Sequence, residues 1–157
     1  MGAEKALEAG LVSVKDYGRV KSNIDLYLNC TTKMDHLESL DNDWIYGEPG
    51  VGKTRMATTQ HPNYYEKDKS KYWNGYTNQE VVLIDDLEKD ETFMLGILKK
   101  ICQHKAFMAE DKFGQMRQIR PKKIIVTSNF HFKDIWTEEV DRKAIGRRFH
   151  VIHIPSM

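Results

Sequence analysis

The octapeptide GEPGVGKT, which begins at residue 47, matches the phosphate-binding pattern G-x-x-x-x-G-K-[ST] at every defined position. Its glycines let the backbone approach an anion closely, and the helix expected to follow presents its positive end to that anion. Those glycines are Gly47, Gly50 and Gly52. Lys53 would reach the β- and γ-phosphates of ATP, and Thr54 would supply a hydroxyl to Mg²⁺. A chance Gly-Lys-Thr turn is the alternative, but the strand before and the helix after favour a nucleotide-binding loop.

Two adjacent carboxylates, Asp85 and Asp86, end the apolar run of VVLIDD. Hydrolysis needs a magnesium partner and a group that orients water, both near the γ-phosphate at the C-terminal end of a neighbouring strand. We assign Asp85 to the Mg²⁺ shell and Asp86 to polarising the attacking water as general base. Two unpaired buried carboxylates would be costly, whereas a metal and a lysine nearby make them tolerable. The alternative, stronger for Asp86, is that the acids cap a helix starting near Glu91.

A third apolar run, KIIVTSN, ends in Asn129. A carboxamide at such an edge can hydrogen-bond both the γ-phosphate and the nucleophilic water, and so report which nucleotide is bound. Ser-Asn after a strand is usually only a turn. Together with the other two strand ends, however, it predicts a sensor residue.

Two arginines, Arg147 and Arg148, stand at the expected end of a helix, just before the apolar run FHVIHI. An arginine finger that serves a neighbouring subunit would occupy such a place. A cation pair would also favour a helix C-terminus through the helix dipole. Both interpretations stay open, and the residues do not decide which arginine would act.

Residues 104–123 predict a basic β-hairpin whose tip reads EDKFGQ. At that tip Lys112 would meet a phosphate, Phe113 would offer a stacking face and Gly114 would give flexibility. These properties suit a single-stranded nucleic acid. A solvated basic hairpin explains the same residues equally well.

Brief apolar runs, separated by polar or helical stretches, must position these residues. The runs DWIY, EVVLI, KKIIVTS and FHVIHI predict four or more buried strands, and DETFMLGILKKICQH predicts a helix between two of them. The predicted fold class is α/β, a P-loop NTPase (AAA+-like) sheet covered by helices. Residues 1–40 predict a small helical segment, because Ser22 and Asp25 have capping-box spacing. Residues 41–157 would form the ATPase domain.

The composition excludes several classes of protein. Lys and Arg number 24 and Asp and Glu 23, so the formal charge is +1 and any nucleic-acid binding must come from a local patch. Cys30 and Cys102 lie far apart without metal-ligand spacing, which argues against a disulfide framework and a zinc site and favours a reducing compartment. No apolar stretch approaches the ~20 residues that span a bilayer, so we expect a soluble protein without a membrane partner.

The chain resembles the superfamily 3 helicase domain of the replication initiator (Rep) proteins of circular single-stranded-DNA viruses, circoviruses and their relatives. The resemblance lies in the order of its motifs, which is GEPGVGKT, VVLIDD, the basic hairpin, IIVTSN and AIGRR. The stretch KYWNGYTNQEVVLIDD is especially similar, since that family favours a Trp-Asx-Gly-Tyr segment ahead of its acid pair. The resemblance covers essentially the whole chain. Even residues 8–30 look like the short helical segment that promotes oligomerisation in this family.

The resemblance implies an ATP-dependent DNA helicase of rolling-circle replication, acting in the host nucleus. Such a helicase forms a hexameric ring, hydrolyses ATP at its subunit interfaces and translocates along single-stranded DNA. The residues that would carry these roles are the Walker A residues Gly47, Gly52, Lys53 and Thr54, the Walker B acids Asp85 and Asp86, the DNA contact Lys112, the sensor Asn129 and the finger Arg147 or Arg148.

Two features depart from that family. Its hairpin motif usually reads Lys-Gly-Gly, whereas this chain has Lys112-Phe113-Gly114, which changes the local backbone. Family members also carry a nicking endonuclease with a His-hydrophobic-His metal site and a Tyr-x-x-Lys nucleophile. The six histidines include no His-x-His pair, and YYEK, residues 64–67, is interpreted as core and strand. We therefore expect a C-terminal piece of a longer protein, without nicking activity.

Three other functions stay open. A bacterial-type ATP-dependent helicase loader shares the P-loop, the acid pair and the Thr-Ser-Asn strand, but the Trp-Asn-Gly-Tyr segment and the basic hairpin argue against it. A small P-loop kinase would need an acceptor-binding region and an Arg-rich lid, and neither is evident. A nucleotide-gated binding module, which is not an enzyme, would not need Asp86.

Overall fold

The computed structural model describes residues 34–156. The helical segment predicted for residues 1–40 therefore lies mostly outside the described residues, and its described part, 34–40, contains no helix. The division of the chain at residue 40 stays a prediction.

A parallel five-stranded sheet forms the centre of the described region. Its strands are β1 (Asp43–Tyr46), β2 (Tyr65–Glu66), β3 (Val81–Leu87), β6 (Lys123–Ser128) and β7 (His150–His153). They lie in the order β2-β3-β6-β1-β7, and every neighbouring pair is parallel. Parallel strands bring their carboxyl ends to one edge of a sheet. The loop after β1 and the last residues of β3 and β6 consequently meet at that edge.

Helices and one hairpin complete the described fold. They are α1 (Lys53–Gln60), α2 (Met94–Ile101), α3 (Phe132–Ile135), α4 (Glu139–Gly146) and the antiparallel hairpin of β4 (Phe107–Glu110) and β5 (Met116–Ile119). Within residues 34–156 no helix is long and apolar enough to cross a membrane. The prediction of an α/β P-loop NTPase sheet flanked by helices is confirmed.

The core is divided between the two faces of the sheet. Successive side chains of a strand point to opposite faces, and so Trp44 and Ile84 belong to one buried cluster while Ile45 and Leu83 belong to another. The smaller cluster is covered by α1 through Ala57. The larger one takes in side chains from the remaining helices, namely Met94, Leu98, Phe132, Ile135 and Ile145. Cover on both faces explains the unbroken apolar runs of the sequence.

Two strands differ from their predicted form. The run EVVLI, residues 80–84, was expected to end before the acids, but β3 continues to Leu87 and contains both carboxylates. The run FHVIHI was expected to be a buried strand, but every residue of β7 is exposed or half-buried. In the described sheet β7 has only β1 as a neighbour, and an edge strand keeps solvent on its outer side.

Candidate active site

The phosphate-binding loop connects β1 to α1 through glycines that no other residue could replace without strain. A Cβ atom on Gly47 would lie 2.5 Å from the carbonyl oxygen of Ile154, so the loop leaves β1 under tight steric limits. Gly50 and Gly52 have φ angles of 82° and 96°, in the left-handed region that favours glycine, and the space where their side chains would lie is open. The sequence therefore shapes an open, glycine-lined cradle directly in front of α1.

Lys53 is held at the mouth of this cradle by three acceptors. Its ammonium donates to the carbonyl oxygens of Gly47 and Glu48, each at 2.9 Å, and to Oδ1 of Asn129 at 3.0 Å. The residue is only 8% exposed. An ammonium has three donors, so all of them are occupied. The structure thus brings together Lys53, the first residue of α1, and the predicted sensor Asn129, which directly follows β6.

Asp85 receives two hydroxyl hydrogen bonds on one oxygen. Thr54 and Thr127 each donate to its Oδ1 at 2.7 Å. Thr127 also accepts the backbone N–H of Asp86 at 2.8 Å. The hydroxyl of Thr127 therefore orients both acids at once, a role that sequence reasoning did not assign to it. A hydroxyl residue directly after the apolar residues Ile124, Ile125 and Val126 was the available signal.

A β-bulge places the two acids. In the pairing of β3 with β6, Ile84 lies opposite Val126 and Leu87 lies opposite Ser128, so β3 holds one residue more than β6 between these pairs. The backbone of Asp86 adopts a φ angle of 56°, in the left-handed region, and so accommodates the extra residue of the bulge. Bulges re-aim side chains near active sites. Here the bulge lets one threonine bond the carboxylate of Asp85 and the amide of the next residue.

The carboxylate of Asp86 is exposed at this edge. Among the described residues it has no hydrogen-bond or ion-pair partner. The alternative that it caps the following helix is not supported, because α2 begins only at Met94 and no side chain caps it. It is Glu91 that bonds the intervening turn, accepting the amide of Glu88 at 2.8 Å. Asp86 is therefore available to a water molecule or a ligand.

The donor set suits a magnesium ion. Thr54 and Asp85 present a hydroxyl and a carboxylate whose oxygens lie 2.7 Å apart, beside the open cradle. Mg²⁺ prefers hard oxygen ligands, keeps several waters and commonly takes its remaining ligands from phosphates. These two residues would hold the ion with the help of a nucleotide. No cluster of three or more His, Cys, Asp or Glu side chains that could form a self-sufficient metal site occurs in the described residues.

The two arginines before β7 have different environments. Arg148 is half-buried, and its Nη1 donates to the carbonyl oxygen of Ala144 near the end of α4 at 2.7 Å. Burial lowers the pKa of its guanidinium, and the charge of Arg147 lowers that pKa further. Arg147 is exposed, and no described residue holds its side chain by a hydrogen bond or ion pair. The interpretation as a cation at a helix C-terminus thus fits Arg148, whereas the side chain of Arg147 is held by no described residue.

The predicted basic hairpin is present, and its tip is a compact turn built on one aspartate. Asp111 Oδ1 accepts the amides of Phe113 at 3.0 Å and Gln115 at 3.1 Å. Gly114 has a φ angle of 83°, which explains the glycine at this place. Phe113 is 92% exposed and Lys112 is exposed beside it. The tip therefore presents an unpacked aromatic ring and a cation to solvent.

Comparison with known proteins identifies the family. Residues 43–130, more than half of the chain, match the family model described as RNA helicase. The chain belongs to this helicase family. The matched range begins with β1 and ends just after Asn129, so it contains the GEPGVGKT loop, both acids, the hairpin and the predicted sensor. The family match favours a helicase over the loader and kinase alternatives.

Relatives of this helicase-family chain are replication-associated proteins of viruses. That of beak and feather disease virus is 30% identical over 133 residues, which cover 85% of this chain and 44% of that protein. That of goose circovirus is 36% identical over 112 residues, which cover 68% of this chain and 36% of that protein. The resemblance to the helicase domain of circovirus replication initiators is confirmed. The chain spans less than half the length of these relatives.

The Tyr-x-x-Lys stretch of the helicase domain, residues 64–67, lies in packed structure, as predicted. Its tyrosine, Tyr64, is partly buried against the core cluster that contains Ile45 and Leu83. Tyr65 and Glu66 form β2, and the ring of Tyr65 stacks on Trp73 with centroids 5.8 Å apart. The side chain of Lys67 is fully buried, and its ammonium donates to the carbonyl oxygens of Ser70 and Tyr72. Desolvation lowers the pKa of Lys67, partly offset by the nearby Asp68. These residues contribute to the packing of the domain.

Proposed function

We propose that this chain is the ATP-hydrolysing motor of a viral replication initiator, working as a ring, most simply a hexamer, on single-stranded DNA in the host nucleus. The observation that carries the proposal is the hydrogen-bonded chain of Thr54, Asp85 and Thr127 facing Lys53 and Asn129 across one sheet edge. Such an arrangement serves phosphoryl transfer, where catalysis rests on positioning and on electrostatic stabilisation.

Each residue has a defined part in hydrolysis. Asp86 takes a proton from water as the water oxygen bonds to the γ-phosphorus and the bond to the β–γ bridging oxygen breaks, which yields ADP and inorganic phosphate. Lys53 meets the phosphate charge, and Asn129 hydrogen-bonds the γ-phosphate. Thr54 and Asp85 would hold Mg²⁺, which would neutralise phosphate charge. Because all three donors of Lys53 are occupied, ATP must replace at least one of its present acceptors.

Arg147 acts on the nucleotide of a neighbouring subunit. It precedes β7, whose first residue His150 pairs with Asp43, the first residue of β1. The phosphate-binding loop follows Tyr46, the last residue of β1. Arg147 and its own loop therefore lie at opposite ends of the sheet, and the arginine needs a second copy of the chain to meet a phosphate. No described residue holds its side chain by a hydrogen bond or ion pair, which supports this role over Arg148.

Mixing two inactive variants tests the shared site. Arg147→Ala and Lys53→Ala chains are each expected to lose most ATPase activity, and an equal mixture to recover up to about a quarter of the wild-type rate, since random assembly completes about one interface in four. Phosphate release after mixing is the measurement. A mixture of Lys53→Ala with Asp86→Asn is the control, because both changes damage the same half-site. Failure of the first mixture to recover would contradict a shared site.

Two substitutions at the hairpin tip test DNA binding. Lys112→Ala should weaken binding of single-stranded DNA and lower the salt slope by about 1, because one phosphate contact is lost. Phe113→Ala should cost about 1–3 kcal/mol if its ring stacks on a base. Neither side chain packs in the fold, so stability should not change. Phe93, which is 59% exposed at the start of α2, offers the control Phe93→Ala. Equal DNA affinities for all four proteins would remove the tip from the mechanism.

A further inference from the structure

Residues 67–76, here named the bridging segment, run between the acid-bearing strand β3 and the hairpin tip. Neither the nucleotide chemistry nor the DNA contact described above uses this segment. Its side chains nevertheless bond to both sites, through Lys69 at one end and Asn74 at the other.

At the nucleotide end, Lys69 holds the turn that follows the general base. Its ammonium donates to the backbone carbonyl oxygen of Asp86 at 2.6 Å and to Oε1 of Glu91 at 2.7 Å. The same Glu91 oxygen accepts the amide of Glu88. Because Asp86 already has a left-handed backbone, a bond to its carbonyl oxygen fixes the direction in which its side chain leaves the strand. Lys69 is thus a positioning residue for Asp86.

At the hairpin end, Asn74 holds the residue that carries the DNA-facing cation. Its Oδ1 accepts the backbone amide of Lys112 at 2.7 Å. Next to it, the amide of Trp73 donates to the carbonyl oxygen of Glu110 at 2.9 Å, at the end of β4. A displacement of the tip by DNA would therefore move the bridging segment through these hydrogen bonds.

Between its ends the segment is rigid. The buried ammonium of Lys67 bonds the carbonyl oxygens of Ser70 and Tyr72 and lies 5.0 Å from the centroid of the Trp73 ring. The hydroxyl of Tyr65 donates to the carbonyl oxygen of Asn74 at 2.7 Å. Charge-assisted bonds in a desolvated site are strong, and leaving a buried cation unpaired is costly. The six residues from Lys69 to Asn74 are accordingly held as one unit.

We propose that the bridging segment couples DNA binding at the hairpin tip to nucleotide binding at the edge of β3 that carries Asp86, with Lys69 and Asn74 as its two contacts. The inference rests on the proposed function, since it names how that ATPase site is regulated. Coupling between two sites is reciprocal. The nucleotide must then change the affinity for DNA by the same factor as DNA changes the affinity for the nucleotide.

The test measures this factor in the full 157-residue chain. The Kd for a fluorescent oligodeoxythymidine is determined with and without a non-hydrolysable ATP analogue and Mg²⁺, and coupling is the ratio of the two values. Ratios of roughly 5 to 150 in either direction are typical of coupled sites. In the Lys69→Met and Asn74→Ala variants this ratio of Kd values should fall close to 1. Their affinities for nucleotide alone and for DNA alone should stay within about twofold of wild type, which a merely structural defect would not allow.

Matched variants make the result specific. Asn74→Asp keeps an oxygen that accepts the Lys112 amide, so it should retain the wild-type ratio. Lys122→Met is the control for Lys69→Met, because Lys122 forms an exposed ion pair with Glu80 away from both sites. The two tested variants act at separate ends, so a folding defect in one leaves the other decisive.

Three outcomes would overturn the inference. If both Lys69→Met and Asn74→Ala gave the same ratio of Kd values as the wild-type chain, the segment would not couple the two sites. A wild-type ratio of 1 with normal binding of both ligands would show that nothing is coupled, and would leave the proposed function standing. A wild-type chain that binds neither ATP analogue nor DNA would overturn the proposed function itself, and the inference with it.

Discussion

The Asp86→Asn variant is expected to bind ATP as the wild-type chain does and to hydrolyse it roughly 10²- to 10⁴-fold more slowly, the usual contribution of a general base. An amide cannot take a proton from water, whereas the charge and size of the phosphate cradle are unchanged. The fold should also be unaffected, because asparagine is among the few residues that tolerate the φ angle of 56° found here. The carboxylate bonds no described residue, so its replacement breaks no contact there.

The measurements are single-turnover phosphate release and titration with a fluorescent ATP analogue. Asp90→Asn is the matched control, since Asp90 is an exposed acid four residues further along. Turnover near the wild-type rate in Asp86→Asn would remove Asp86 from catalysis. It would also favour the nucleotide-gated binding module over the ATPase.

The Lys53→Ala variant is expected to lose ATP affinity by roughly 10- to 100-fold or more, because each hydrogen bond to a charged group contributes about 1.5–3 kcal/mol. The change also removes the donor that ties Gly47, Glu48 and Asn129 together. Asn129 then loses its anchor beside the loop. The substitution should therefore disturb both the glycine-lined cradle and the position of Asn129.

Competition binding at low and physiological salt measures this loss, with circular dichroism and Tm as checks that the sheet is retained. Lys122→Ala is the control, because it removes an exposed lysine far from the phosphate-binding loop. An unchanged Kd for ATP in Lys53→Ala would contradict the assignment of GEPGVGKT as the nucleotide site.

Much of the fold and of the candidate site follows from local sequence. The octapeptide at residue 47 carries its own geometry, because Gly50 and Gly52 supply left-handed backbone wherever that loop occurs. Apolar runs of four to seven residues with helical stretches between them specify a parallel sheet, and parallel strand ends share an edge. Asp86, at the end of its run, could thus be expected near Lys53. The hairpin followed from a stretch rich in Lys, Arg and Gln with Phe113 and Gly114 at its centre.

Other features depend on contacts between residues far apart in the chain, and only the tertiary structure decided them. The bulge in β3 lets Thr127 bond both Asp85 and the amide of Asp86, about forty positions away. The difference between the half-buried Arg148 and the exposed Arg147, on which the proposal for Arg147 rests, is likewise set by the fold. Asn74 and Lys112 meet although 38 positions separate them. Local patterns determine which residues can do chemistry, whereas register, burial and long-range hydrogen bonds determine which of them are free to do it.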